Sequence, residues 1–190
     1  MKQFRNFLIG FAGLLSVSFN LPSGWSRAGS EPSKYEMGID SASGKDGSNA
    51  ATIKSIAKDI KGFGTLMQNA IPGEYLGKRV RMSGMMKSKD VESWAGLWFR
   101  VDAKDSKKAI AFDNMSGRAL KGTTDWKSYS IVLNVADSAG NLAYGALLAG
   151  QGQIWFDDLK FEIVGDSVPL TDVYAKHPPQ NLNFDSPSGK

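Results

Sequence analysis

Along Trp94–Asp102 (WAGLWFRVD) Trp94, Trp98, Arg100 and Asp102 stand at alternate positions, with Gly96 between. In an extended strand that spacing sets indole, guanidinium and carboxylate side chains in one row on one face. Tryptophan offers a flat apolar surface to the C–H face of a sugar ring, and planar polar groups pair with its hydroxyls. Covering the row with a second sheet would bury Arg100 and Asp102, which is costly unless they are paired. Gln68, Asp113 and Asn114 join the row as candidate ligand contacts from neighbouring strands. Arg118 and Trp126 flank the loop Met115–Asp125 and form a candidate rim. Asp113-Asn114 also suits a plain turn. Trp25, Trp126 and Trp155 read more naturally as core or corner residues. Trp98 joins the core if the N-terminal segment covers the outer face.

Catalysis finds little support. Asp102, Asp113, Asp157 and Asp158 are available, but none has the spacing of a glycosidase carboxylate pair. Asp157 and Asp158 are consecutive on a strand and point to opposite faces. In QIWFDDLKFEIV the alternation groups Trp155, Asp157, Leu159, Phe161 and Ile163, so Asp157 is expected to be hydrogen-bonded, ion-paired or bound to a cation. Gly62–Leu66 (GFGTL) lacks the third glycine and the strand–helix context of a nucleotide loop. The chain has no cysteine and a single histidine, His177, which excludes Ser-His-Asp and Cys-His chemistry and His-rich metal sites.

Period-two alternation gives the positioning elements. Strands are expected at Gly64–Asn69, Lys78–Lys87, Trp94–Asp102, Ala109–Asn114, Ser128–Val135, Asn141–Ala149 and Gln153–Val164, with weaker ones at Tyr35–Ile39 and Ala51–Ser55. Ile56–Lys61 is the one segment suited to a helical turn. Glycine is 21 of 190 residues, which calls for many turns and close backbone approaches. The pattern predicts an all-β, antiparallel β-sandwich of jelly-roll type, residues 19–165. In the central segment Ala95, Leu97, Phe99 and Val101 form the core face.

Residues 1–18 read as a signal peptide: Lys2 and Arg5 precede the apolar run Phe7–Val17, and Ser16 and Ser18 suit cleavage before Phe19. The run is short for a bilayer span, and with no lipobox cysteine no membrane anchor is expected, so the protein is expected to be secreted or periplasmic. The net charge of +4 falls by two without that segment. The basic clusters Lys78–Arg81 and Lys104–Lys108 read as solvated edges, no helix-turn-helix pattern is present, and no nucleic-acid partner is expected. Asp166–Pro179 reads as a linker within a 166–190 tail. LNFDSPSG (Leu182–Gly189) echoes VSFNLPSG (Val17–Gly24), which raises the expectation of a further domain.

PSGW, GSEPSKYEMGID, GFGTLMQ, GKRVRMSG, WAGLWFRVD, AFDNM, KGTTDW and GQIWFDDLKFEIV together resemble a bacterial galactose-binding-like jelly-roll module, similar to carbohydrate-binding module families 4 and 9. Such modules open on F-E-x-G-x-x-x-W and close on a strand with I-D-D-V, places held here by Phe19–Trp25 and Ile154–Leu159. The nearer resemblance, over Phe19–Thr171, is to an accessory module found alone or preceding secreted hydrolases. Some copies carry transcriptional-regulator labels. The resemblance implies a poly- or oligosaccharide partner, a non-catalytic role and a C-terminal catalytic domain as a further partner. It also implies a structural calcium held in part by Asp157. Asn20 replaces the acid that relatives carry after the first Phe, so the carboxylate count for calcium falls.

The expected function is therefore carbohydrate binding through Trp94, Trp98, Arg100, Gln68, Asp113 and Asn114. The competing reading is a structural or protein-interaction accessory domain, in which the same aromatic face docks a protein.

Overall fold

The computed structural model describes residues 19–106, 108–175 and Leu182. The expected signal peptide, His177 and all of the second PSG copy but Leu182 lie outside them.

Nine strands form the body: β1 Ser26–Gly29, β2 Tyr35–Asp40, β3 Ala50–Ser55, β4 Phe63–Ala70, β5 Lys78–Ala103, β6 Ala109–Asp113, β7 Leu120–Val135, β8 Ala139–Ala149 and β9 Gln153–Val164. Every pairing is antiparallel. One layer runs β1-β4-β8-β5-β6 and the other β2-β3-β9-β5-β7, so β5 belongs to both. The expected jelly-roll sandwich is the observed architecture.

The sequence pattern separates Lys78–Lys87 from Trp94–Asp102, but the protein joins them in one strand of 26 residues. Its first half pairs with β9 and β7, its second with β8 and β6. The polar stretch between the halves is the corner where the strand changes layers, a usual device of strands shared between sheets. Asp90 takes a left-handed backbone there (φ 52°), and Thr123 Oγ1 accepts its N–H. The pairing with β7 slips at the same place.

The core lies between the layers. Ala95, Leu97, Phe99 and Val101 fill it as expected, with Leu66 from β4 of the same layer and Met37, Ile53, Met82, Ile131 and Phe156 from the facing layer. At roughly 25 cal/mol per Å2 of apolar surface this burial is the main stabilising term. Phe99, Tyr144 and Phe161 meet edge to face, with centroids 5.4 and 4.7 Å apart. A Cβ on Gly84 would stand 2.5 Å from Cδ2 of Leu159 on the adjoining strand β9, so a side chain here would make Leu159 turn aside.

Two local expectations fail. Ile56–Lys61 forms no helix; the short 3-10 turns are at Pro32–Lys34, Gly73–Tyr75 and Ser116–Arg118. In β9 a bulge interrupts the alternation. Asp158 is left-handed (φ 52°) and the register against β5 shifts between Ser83 and Met85. Ile154 and Phe156 face the core before the bulge, and Leu159 and Phe161 pack against it after. Trp155 and Asp157 are thereby left off the face of Leu159 and Phe161, contrary to strict alternation. The bulge gives a first prediction. Asp158→Val should lower stability by about 1–2 kcal/mol, because a β-branched residue resists left-handed backbone. A urea midpoint equal to that of the unaltered protein would contradict the bulge geometry.

The expected linker is bound to the module as far as Ala175. Thr171 exchanges hydrogen bonds with Val132 on β7, and Val173 N–H donates to the Phe112 carbonyl on β6 at 2.8 Å. Asp172 Oδ1 accepts the N–H groups of Phe112 and Tyr174. The segment ties together the edges of both layers, where the open strand groups of a sandwich need cover.

Candidate functional site

The outer face of the β1-β4-β8-β5-β6 layer carries a groove of about 640 Å3. That is within the range of small-ligand sites, roughly 300–1,000 Å3. Its floor is Trp98, 7% exposed, packed with Ala143 and Leu147 of β8. Trp94, Met67 and Phe112 pack around this second small cluster. Phe63 and Met67 come from β4, Leu147 and Ala149 from β8, Phe112 from β6 and Asn114 from just beyond it.

The Trp98 ring is fixed by more than packing. Its Nε1–H donates to Thr65 Oγ1 at 2.8 Å, and that hydroxyl donates to the Ala146 carbonyl at 2.7 Å. A buried indole N–H with a partner cannot turn without losing the bond. Arg100 is held in the same way. Its Nε lies 2.7 Å from Asp102 Oδ1 and its Nη2 donates to Asp102 Oδ2 at 3.1 Å. The Nε contact is ionic and off the N–H axis, since neither atom completes a hydrogen bond. Asn141 Nδ2 donates to Asp102 Oδ2 at 2.9 Å and to Asn69 Oδ1 at 3.1 Å. Asp102 is 6% exposed, whereas the Arg100 side chain is 41% exposed. The carboxylate is thus spent on orientation, and the guanidinium stands at the surface between the groove and a neighbouring hollow with Lys104 and Asp105.

Trp94, Trp98, Arg100 and Asn114 do come together. Gln68 and Asp113 do not. Gln68 alternates with Thr65 and Met67 and faces the inner side of β4, where it accepts the Tyr144 hydroxyl. Asp113 is buried at 1% exposure, accepts the Met115 N–H at 2.7 Å and pairs with Arg118 at 2.6 Å. It builds the turn after β6, so the turn reading is the one observed. Trp126 and Trp155 also stand away from the groove: Lys87 Nζ lies between their rings, 5.0 and 4.8 Å from the centroids, and donates to the Ser43 carbonyl. Met67, Phe112, Leu147 and the loop residues Ile60 and Lys61 line the groove without having been singled out. The alternation Phe63, Thr65, Met67 carried that signal for β4. No strand pattern reveals a loop that folds over an edge.

The loop is anchored from below. Glu31 Oε2 accepts the N–H groups of Lys61 and Gly62, and Lys34 pairs with the same carboxylate. The Lys34 ammonium and the Gly62 N–H hold the Glu31 carboxyl below its ordinary range. Tyr35, 4% exposed, donates its hydroxyl to the Gly150 carbonyl at 3.0 Å, under the groove's end. Burial, helped by the Glu31 charge, pushes its pKa up to about 12. A raised phenol pKa makes the neutral form the native one. Its stability is fully present below the unfolded value near 10 and is lost as pH rises through 10 to 12. Tyr35→Phe should flatten the stability decline in that window. An unchanged decline would show that other groups cause it.

Asp157 was expected to serve calcium. Its Oδ2 accepts the Ser48 hydroxyl at 3.3 Å and its Oδ1 accepts the Asp158 N–H at 2.8 Å. Among the described residues no three His, Cys, Asp or Glu side chains gather into a metal-sized group. One engaged carboxylate is a poor match for an ion that takes roughly six to eight oxygens.

No family model matches the chain. The "Uncharacterized HTH-type transcriptional regulator YbfP" of Bacillus subtilis (strain 168) is 38% identical over 189 residues, covering 96% of this chain and 64% of that protein. The chain therefore spans somewhat under two thirds of the regulator's length. Among solved structures, the xylan-binding CBM22-1 domain of Paenibacillus barcinonensis Xyn10C superposes with TM-score 0.54 at 14% identity, over 77% of this chain and 90% of that one. The CBM22-1-GH10 modules of Clostridium thermocellum Xyn10B give 0.55 at 14%, over 81% and 28%. The enzymatically active domain of bacteriophage CBA120 tailspike protein 4 gives 0.57 at 14%, over 75% and 20%. At such identities the likeness concerns the fold: this is a β-sandwich of the kind that carbohydrate-binding modules use.

Proposed function

We propose that the protein binds a poly- or oligosaccharide in the groove floored by Trp98, without catalysing a reaction. The observation that carries this reading is the joint immobilisation of the indole by Thr65 and of Arg100 by Asp102, whose carboxylate Asn141 holds in turn. Both ligand-facing groups are set before a ligand arrives, which reduces the ordering cost of binding. The carbohydrate-binding modules that share the fold support the ligand class, and the motif resemblance to families 4 and 9 belongs to the same proposal. The carboxylates near the groove are engaged by Arg100 and Arg118, which favours binding over acid–base work.

The test is affinity electrophoresis of the whole chain through soluble polysaccharides, with and without EDTA. Retardation by one glycan class is the expected result. No retardation by any glycan would overturn the reading. Loss of retardation in EDTA would restore the calcium proposal on Asp157.

A second reading has its own support. The 38% identical relative carries a regulator's name rather than a carbohydrate-binding one, which favours a structural or protein-interaction accessory domain whose aromatic face docks a protein. A docking face should respond to no soluble glycan and should promote self-association through exposed aromatic surface. Export, read from residues 1–18, belongs to either reading and has its own test. N-terminal sequencing of the protein from an extracytoplasmic fraction should begin at Phe19, and retention of Met1 would contradict export.

A further inference from the structure

The polar groups that line the groove are unequally divided between donors and acceptors. Its ionised side chains are Arg100 and Lys61, and no Asp or Glu lines it among the described residues. The acceptors are largely consumed from within. Ser30 Oγ accepts the Phe63 N–H, Thr65 Oγ1 accepts the Trp98 indole, and Asn114 Oδ1 accepts the Ser116 N–H. The carbonyls of Gly62 and Gly150 at the groove's end receive the Gly150 N–H and the Tyr35 hydroxyl respectively. What faces a ligand is thus mostly donors: the guanidinium, the Lys61 ammonium and the Asn114 amide N–H2, with the Ser93 hydroxyl able to donate or accept.

The Arg100 geometry sharpens this. A guanidinium has two edges that can grip a carboxylate with parallel contacts. Asp102 takes the side-on edge through Nε and Nη2. The end-on edge, which includes Nη1, has no protein partner among the described residues, and the side chain is 41% exposed. A buried carboxylate therefore aims an open fork outward.

We infer that the groove prefers an acidic saccharide, one bearing a carboxylate such as a uronate, with the ligand carboxylate on the open edge of Arg100 and within reach of Lys61. The inference rests on the carbohydrate reading. A neutral sugar presents hydroxyls that must donate as well as accept, and this groove offers them few free acceptors. A carboxylate only accepts. The pyranose ring is left to Trp94 and the exposed edge of Trp98.

The probe is a short oligogalacturonate, with its methyl ester as the uncharged counterpart and xylohexaose as a neutral reference, titrated calorimetrically into the whole chain. The acid should bind about ten- to a hundredfold more tightly than its ester, the scale of a charge-assisted contact. The difference should shrink with added salt. Arg100→Gln should abolish it. Because that change leaves Asp102 buried without its cation, the double variant Arg100→Gln/Asp102→Asn and the surface variant Lys61→Gln are tested beside it. Lys61→Gln should reduce the difference without altering the fold. Equal or tighter binding of the ester or of xylohexaose would overturn the acidic preference while leaving carbohydrate binding intact. Absence of binding by every saccharide would overturn both.

Discussion

Alanine at Arg118 is expected to destabilise the protein by about 3 kcal/mol, the lower end of the cost of stripping a buried charge of its partner. Asp113 is 1% exposed, and Arg118 Nη2 lies 2.6 Å from its carboxylate. Without the guanidinium the carboxylate stays buried against Phe99's strand with only the Met115 N–H to hold it. Arg118 is itself 40% exposed, so water fills part of the gap and the cost stays below the upper end of the range. For a chain of this size about 3 kcal/mol is roughly a 6–12 °C fall in Tm. Arg118 also donates to the Ser130 carbonyl on β7, so part of the loss is a tie between the layers. Arg118→Ala should leave glycan affinity within a factor of about two, because the pair stands off the groove. A Tm unchanged by the substitution, or an affinity lost with the fold intact, would restore Asp113 and Arg118 as ligand contacts.

The two groove tryptophans should separate binding from stability. Trp98→Ala removes a nearly buried indole and leaves Thr65 Oγ1 without its donor, and is expected to cost about 3–5 kcal/mol. Trp94 is only partly buried and has no described hydrogen bond at its indole. Trp94→Ala should cost about 1 kcal/mol or less in stability and weaken glycan binding about ten- to a hundredfold, the weight of an aromatic anchor. Thermal unfolding and calorimetric titration of both variants read the split. If Trp94→Ala binds as the unaltered protein does, the sugar does not stack in this groove.

The sequence pattern is read more easily on the strand that floors the groove than on its neighbours. Alternation over Trp94–Asp102 assigns both faces of β5 correctly, because that half of the strand is regular and its core positions are all apolar. Asp102 serves Arg100, as the same-face spacing allows: i and i+2 on one face are neighbours, and a carboxylate beside a guanidinium pairs with it. Gln68 was misplaced because it shares a strand with groove residues but has the other parity. Asp113 was misplaced because its partner Arg118 lies beyond a turn, and alternation does not extend through turns. The β9 grouping failed at the bulge, where Asp158 adds a residue and moves every later side chain to the other face. β1 (SRAG) has no apolar alternation to read, since it is an edge strand held by backbone bonds to β4. The 166–175 segment looked like a linker because its attachment is backbone and Asp172 hydrogen bonding rather than apolar burial.

Glycan binding in this particular groove is tested most directly by following the indole N–H resonances during a saccharide titration of the whole chain. The protein has five tryptophans, and their positions divide the surface. Trp94 and Trp98 line the groove, whereas Trp126 and Trp155 clasp Lys87 away from it. Saturable shifts at Trp94 and Trp98, with Trp126 and Trp155 unmoved, are the predicted result. Shifts confined to Trp126 and Trp155, or none with any glycan, would contradict it.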